Sequence, residues 1–347
     1  MVYNLLRQIF PILGIIDKII FKTIFSFLTS FILTIFLGKY FLKFSKYFKS
    51  LSRSFIKIEI EKKNQTPSMG GIFIIISSLI SIILWNNIFD ITVILSIITI
   101  LLFFLIGFID DYYKLKYKKG INAKTKISLQ IISAIIIAII WYNSSIKDSS
   151  IYLPFFKNIK INIGYLSIFW ISLIIISTSN AVNLTDGLDG LAIGSLIPNF
   201  ILFSIFTYIK SNEILSNELN IKLCNCNQLS IIAAILAGSS LGFMWYNAYP
   251  AYIFMGDTGS LTLGAILGLI AAISKHEYIL IISGGIFIIE TISVILQVIS
   301  YKYRKKRIFK MSPIHHHFQL IGYPENIIAI RFTIISIILS LIALIII

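Results

Sequence analysis

What most limits this chain is the recurrence of apolar blocks long enough to cross a bilayer. From Phe21 up to Ile347, stretches dominated by Ile, Leu and Phe follow one another with only brief polar interruptions. A spanning helix needs about 20 mostly apolar residues, because hydrocarbon offers no partner to backbone polar groups outside a helix or a closed barrel. Composition agrees: 57% of residues are hydrophobic and 13% are charged, against about 45–50% apolar and about 25% charged in an ordinary soluble domain. The excess exceeds what a soluble core can use, so the membrane is the solvent.

The blocks place ten helices, centred on Phe21–Gly38, Gly70–Trp85, Ile91–Ile109, Ile127–Tyr142, Tyr165–Ser179, Leu191–Tyr208, Leu229–Tyr246, Ser260–Ile273, Tyr278–Ile299 and Ile327–Ile347. Several fall short of bilayer thickness, which favours tilted or broken helices. The expected fold is all-α, a polytopic membrane helix bundle of about ten transmembrane helices forming a single domain over residues 1–347. Residues 1–20 hold Arg7, Asp17 and Lys18 and lack a small-residue cleavage site after their apolar run, so a cleaved signal peptide is not expected. Trp85, Trp141, Trp170 and Trp245 fall near span edges, the usual place of interfacial anchors.

Orientation follows from lysine and arginine. With the N-terminus outside, the loops 39–69, 110–126, 180–190, 247–259 and 300–326 face the cytoplasm and carry 20 of the 30 basic residues. The positive-inside rule then sets both termini on the extracytoplasmic side. The formal net charge of +15 is read as topology and attraction to anionic lipid rather than as a nucleic-acid surface. Cys224 and Cys226, the only cysteines, are too few for a disulfide framework or a four-ligand zinc site and are read as incidental loop residues.

The same map gathers the acidic and histidine residues on one face. Asp110, Asp111, Asp186, Asp189, Asp257 and His315 to His317 all fall on cytoplasmic loops, and convergence on one site is the economical explanation. Asp110 and Asp111, with Lys114 one helical turn on, suit a hard cation or acid/base work on a lipid headgroup; taken alone they also describe a solvated helix end. Asn180 to Leu191 carries two Asp-Gly steps, Asp186-Gly187 and Asp189-Gly190. These present carboxylates beside exposed amides, an arrangement suited to a nucleoside and its phosphates, although Asp-Gly is also an ordinary turn. Phe254 to Ser260 adds Asp257 between Gly256 and Gly259 at a helix entrance.

Ser312 to Phe318 holds three consecutive histidines, His315, His316 and His317. In an extended loop these cannot all reach one metal ion, so phosphate hydrogen bonding or proton transfer is the better use. Thr66 to Gly71, after Lys62 and Lys63, reads either as a diphosphate cradle at a helix start or as a plain helix start with topogenic lysines. Lys114, Lys116, Lys124 and Lys126 admit the same two readings. Glu290 is the one acidic residue well inside a span, where such groups face a bundle interior. These loops specify a phosphosugar transferase of unspecified donor; an ion transporter is the main non-enzyme alternative, disfavoured because the carboxylates gather in loops on one face.

In order, these segments resemble the phospho-N-acetylmuramoyl-pentapeptide transferases, a branch of the polyprenyl-phosphate hexosamine-1-phosphate transferases. Asp110-Asp111 with Lys114 is similar to the superfamily's Asp-Asp-x-x-Lys element, and Asn180 to Leu191 to its Asn-x-x-Asn-x-x-Asp-Gly-x-Asp-Gly-Leu element. Ser-Pro-Ile-His-His-His-Phe, continuing through Leu320, Gly322 and Glu325, separates this branch from the GlcNAc-1-phosphate transferases. The likeness runs from about Lys63 to Ile330; Arg53 to Glu61 lacks the Gly-Pro and histidine that the family usually places there.

The resemblance implies a Mg²⁺-dependent enzyme of the bacterial inner membrane, multi-pass, with its active site on the cytoplasmic face. Its donor would be UDP-MurNAc-pentapeptide and its acceptor undecaprenyl phosphate; its products would be lipid I and UMP, in the first membrane step of peptidoglycan synthesis. It implies membrane lipid as surroundings, a homodimer as the assembly and no nucleic acid. Asp257 would be the metal ligand with Asp111 assisting, and Asp110 the base or lipid-phosphate positioner, although the last two roles are interchangeable. Asn180, Asn183, Asp186, Gly187, Asp189, Asn247 and Phe254 would contact the donor, Lys63, Lys114 and Lys126 its phosphates, and His315 to His317 would be catalytic or substrate contacts.

Overall fold

The computed structural model describes residues 18–44, 66–152, 160–219, 221, 223–224 and 226–346. Among them the chain is almost wholly helical: α1 (Lys18–Phe44), α2 (Gly71–Trp85), α3 (Ile91–Tyr117), α4 (Ala123–Tyr142), α5 (Leu166–Thr185), α6 (Leu191–Ser211), α7 (Glu213–Glu218), α8 (Asn227–Asn247), α9 (Gly256–Ser274), α10 (Glu277–Ser283), α11 (Gly285–Arg304), α12 (Ile314–Ile321) and α13 (Glu325–Ile345). A hairpin of β1 (Ser150–Tyr152) and β2 (Lys160–Asn162), antiparallel with Ile151 opposite Ile161, follows α4. Nine of these helices are long and apolar enough to span a bilayer, so the protein is a multi-pass membrane protein.

Two of the ten expected spans differ. The block at Gly70–Trp85 yields only the 15-residue α2, about 22 Å at 1.5 Å per residue, because the backbone just before it turns sharply and is engaged elsewhere. Met69 has a positive φ of 69°, and the Gly70 and Gly71 amides donate to the carbonyls of Phe254 and Met255, each at 2.9 Å. The block at Tyr278–Ile299 breaks at Gly284 into α10 and α11. A β-carbon on the neighbouring Gly285 would lie 2.8 Å from Leu339 of α13, so the break sits where α13 presses on the chain.

Burial is graded around one centre. Of the apolar stretch of each helix, 89% is buried in α9 and 83% in α8, but only 22% in α1 and α11. With no water to expel, helices in a membrane associate through close packing and interhelical hydrogen bonds. α1 accordingly turns Ser26, Ser30, Thr34 and Gly38, spaced four apart, inward, against Gly238 and Gly242 of α8. Thr34 hydrogen-bonds Ser77 of α2 at 2.6 Å, and Ser78 donates to Ser239 of α8 at 2.9 Å.

Some sequence expectations need correction here. Trp85 and Trp141 are buried, and Trp85 donates to Thr29 at 2.9 Å, so neither is a lipid-facing anchor; Trp245, 69% exposed, keeps that position. Cys224 and Cys226 are bonded to each other rather than lying incidentally in a loop. The three histidines lie on α12, a short helix rather than an extended loop.

Candidate active site

The centre of the site is made by close backbone contact between α3 and α9. Gly107 lies against the Asp257–Thr258 backbone, where a β-carbon would come within 2.3 Å of the Asp257 carbonyl oxygen. One turn further along α3 stand Asp110 and Asp111, both buried. On the other side of α9, Gly71 meets Gly259 backbone to backbone. The two glycine contacts bring α2 and α3 onto the first turn of α9.

The three carboxylates have different partners. Asp111 caps α9: it accepts from the Asp257 amide at 3.2 Å, the Thr258 amide at 2.9 Å and the Thr258 hydroxyl at 2.7 Å. A carboxylate at a helix N-terminus satisfies orphan amides and complements the dipole. Asp110 accepts from the Ile121 amide at 2.8 Å through Oδ1 and pairs with Lys114 at 2.7 Å through Oδ2. Asp257 has lysines on both oxygens: Lys114 at 2.7 Å on Oδ1 and Lys126 on Oδ2. One oxygen from each of Asp110, Asp111 and Asp257 lies within 4.8 Å of the others. Three hard oxygen donors at that spacing suit a cation such as Mg²⁺, and Asp257, more open than the buried pair, has a lysine on each oxygen.

Lys126 stands in the first turn of α4, where the helix dipole disfavours a cation. Asp257 and Asp110, the latter at 3.5 Å, offset that cost. Lys114 reaches all three carboxylates, so the site sets two lysines against three carboxyl groups.

The expected donor segment is only partly a loop. α5 runs on to Thr185, so Asn180 and Asn183 are helical. Asn180 donates to Gln130 at 2.7 Å and Asn183 to Ser260 at 2.8 Å, fixing α5 against α4 and α9. Asp186 ends the helix; burial, then the charges of Asp257 and Asp111, push its carboxyl up to about 8. Asp189 is buried, accepting from the Ala251 amide at 3.0 Å while its own amide donates to Glu325 at 2.8 Å. Asn247 bridges the Gly190 amide and the Ile253 carbonyl at 3.1 and 2.9 Å. Asp189 and Asn247 thus tie the loop 186–190 to the loop 248–255, which carries the partly buried Phe254.

Of the histidines, His315 is buried and faces this segment. Its Nε2 packs against Gly187, where a β-carbon would meet it at 2.2 Å, and its Nδ1 lies 3.1 Å from Glu290 Oε1. His316 hydrogen-bonds Gln319 at 2.8 Å, and His317 accepts from the Lys310 amide at 3.1 Å through Nδ1. Sequence reasoning gives Gln130 no role, reads Ser260 as a helix cap or phosphate contact, places Glu325 only in the branch-distinguishing run and reads Glu290 only as inward-facing; the contacts of Gln130, Ser260 and Glu325 with Asn180, Asn183 and the Asp189 amide come from the fold. Glu290 carries its signal as an acid inside a span, and Gln130 carries none. Lys63, and the altered stretch Arg53 to Glu61, lie outside the described residues. Of the segment Thr66 to Gly71, read either as a diphosphate cradle or as a plain helix start, the Gly70 and Gly71 amides are engaged by the carbonyls of Phe254 and Met255, while Lys62 and Lys63 lie outside the described residues.

The family model described as glycosyl transferase family 4 matches residues 93–275, the span from α3 through α9 that holds the carboxylate cluster. Among curated proteins, the chain is 46% identical over 287 residues to the phospho-N-acetylmuramoyl-pentapeptide-transferase of Desulforapulum autotrophicum, covering 82% of this chain and 80% of that one. It is 48% identical to that of Hydrogenobaculum sp. over 282 residues, covering 81% and 79%. With the protein of the same name from Buchnera aphidicola subsp. Baizongia pistaciae, identity is 49% over 296 residues, covering 83% and 86%. On that likeness, and with the three-helix carboxylate site inside the matched region, the chain belongs to the phospho-N-acetylmuramoyl-pentapeptide transferases of glycosyl transferase family 4.

Proposed function

We infer that this protein transfers phospho-MurNAc-pentapeptide from UDP-MurNAc-pentapeptide to undecaprenyl phosphate, releasing UMP and forming lipid I in the first membrane step of peptidoglycan synthesis. An oxygen of the acceptor phosphate forms a bond to the sugar-bearing phosphorus of the donor, and the bond from that phosphorus to UMP breaks. The observation that carries the reading is the meeting of Asp110, Asp111 and Asp257 with Lys114 and Lys126 at the ends of α3, α4 and α9. Phosphoryl transfer asks chiefly for positioning and for charge to meet the equatorial oxygens. Two lysines that pair with carboxylates in the free protein can turn to the donor's diphosphate when it arrives.

Mg²⁺ is the expected cofactor, with Asp257 as principal ligand, and when bound it neutralises charge on the transferring phosphate. Asp111, spent on the start of α9, holds Asp257 in place and is a weaker candidate for direct ligation. Asp110, anchored by one oxygen to Ile121, keeps the other toward the cluster, the disposition wanted for positioning the lipid phosphate. Asp186 and Phe254 are the candidates for the nucleoside. His315, set against Gly187 by Glu290, orders the donor loop from below, while His316 and His317 remain candidate substrate contacts. The excess of lysine and arginine in loops 110–126 and 300–326 supports a cytoplasmic site in the bacterial inner membrane.

The test is exchange of labelled UMP into UDP-MurNAc-pentapeptide by purified protein with undecaprenyl phosphate and Mg²⁺, run beside UDP-GlcNAc. Exchange into the MurNAc donor alone is expected. Exchange into neither donor overturns the function, and preference for UDP-GlcNAc moves the chain to the other branch.

A further inference from the structure

Gln130 is a fully buried carboxamide on α4, a helix of whose apolar stretch only 28% is buried. It stands one helical turn beyond Lys126, whose ammonium pairs with Asp257. From α5, Asn180 donates to Gln130 Oε1 at 2.7 Å through Nδ2. One turn further along α5, Asn183 donates to Ser260 at 2.8 Å, and Ser260 follows Asp257 by one turn on α9. α4, α5 and α9 therefore agree in placing the pair Gln130–Asn180 about one turn deeper in the bundle than the carboxylate cluster.

Which atom each carboxamide presents follows from neighbours that can play one part only. The Ile176 carbonyl can only accept, and Asn180 Nδ2 donates to it at 2.8 Å. The second hydrogen of that amino group goes to Gln130, so both are spent. Gln130 must answer with Oε1, which leaves its own Nε2 without a partner among the described residues. The same logic holds one turn on: Ser260 gives its single hydroxyl hydrogen to the Gly256 carbonyl at 3.0 Å, so it accepts from Asn183. Asn180 is half-buried, and the one polar side-chain atom it has left is the oxygen Oδ1. Cohesion between helices is the plain reading of a polar pair inside a membrane bundle. It does not account for Gln130, whose buried amino group stays unmet at a cost that an apolar side chain of similar size avoids.

We propose that Gln130 is a positioning residue that holds Asn180 with Oδ1 as its free end, a fixed hydrogen-bond acceptor for an N–H or O–H group of the nucleotide-sugar donor. Phosphate oxygens are themselves acceptors, so the group that Asn180 meets is an imide or hydroxyl of the donor, and the diphosphate is left to Lys114 and Lys126. A carboxamide free to turn offers its amino group as readily as its oxygen. Gln130 removes that choice, and a site so fixed rejects an analogue that lacks the hydrogen. The inference rests on the transferase reading and deepens it.

Calorimetric titration of the full-length protein in detergent with UDP-MurNAc-pentapeptide tests it, undecaprenyl phosphate being left out so that nothing turns over. Gln130→Met, apolar and of similar length, should weaken donor binding about tenfold, and so should Asn180→Ala. The double variant should bind no more weakly than Asn180→Ala alone, because Gln130 acts through Asn180. Gln130→Glu keeps an acceptor for the Asn180 amino group and should stay within about threefold of the parent. If the Met variant does not fold, Gln130→Asn, one methylene too short to reach, takes its place with the same expectation. With the lipid acceptor restored, Gln130→Met should raise the KM for the donor and leave the Mg²⁺ concentration for half-maximal rate unchanged. Donor affinity untouched by Gln130→Met in folded protein, losses that simply add in the double variant, or a shift in the Mg²⁺ requirement in place of the donor KM overturns the proposal. A parent protein that binds no donor at all overturns the transferase reading itself, and the positioning role falls with it.

Discussion

Asp111 owes its geometry to a residue with no side chain. Gly256 has a φ of +74°, and a β-carbon there would stand 2.5 Å from Asp111 Oδ2. Gly256→Ala combines a strained backbone, of order 1–3 kcal/mol, with displacement of the carboxylate that holds α9. We expect a thermal midpoint lowered by several degrees and transfer reduced at least about a hundredfold; unchanged turnover with intact folding would show that Asp111 is free to move. Asp186 supplies a pH signature. Its folded carboxyl titrates at about 8 and an unfolded one at about 3.9, so the folded state holds the extra proton between them. The stability that this proton brings is full below about pH 4 and lost as pH rises through about 8. Thermal midpoints followed from pH 5 to 9 should therefore fall less steeply for Asp186→Asn than for the parent, and parallel curves would contradict this.

Among the elements, long apolar helices were the most legible, because the bilayer demands a run of about 20 residues and so writes its period plainly. The failures have a common cause. α2 and the break at Gly284 depend on neighbours brought close by the fold, Phe254 and Met255 in one case and Leu339 in the other, which no local pattern announces. Asp110, Asp111 and Asp257 are gathered by residue type and position, and the resemblance supplies their expected roles; that Asp111 spends its oxygens on the first amides of α9 depends on the fold and on no local pattern. α12 and α11 show the same limit: Glu290 was seen to face inward, while its partner His315 lies 25 positions away on another helix. Glu290→Ala leaves that buried imidazole without its carboxylate against Gly187. We expect folded protein with transfer lowered about tenfold or more, and full activity would remove His315 from the donor loop.

For the whole molecule, one arrangement separates chemistry from the opposite surface: α3, α4, α6 and α9 each have one end at the carboxylate site and the other at that surface. Orientation decides which compartment each faces. Lys306→Cys should react with a membrane-impermeant maleimide only in inverted vesicles, and Lys147→Cys only in intact cells, with the native cysteines bonded to each other. The reverse pattern would invert the topology. The claim on which all of this converges is that Asp257, held by Lys114 and Lys126, is central to lipid I synthesis. Its most direct test is lipid I formation by purified parent protein and Asp257→Ala, each with UDP-MurNAc-pentapeptide and undecaprenyl phosphate, with and without Mg²⁺. The parent should form lipid I only with Mg²⁺ and the variant should form essentially none; Mg²⁺-dependent product from a folded Asp257→Ala protein would contradict the account.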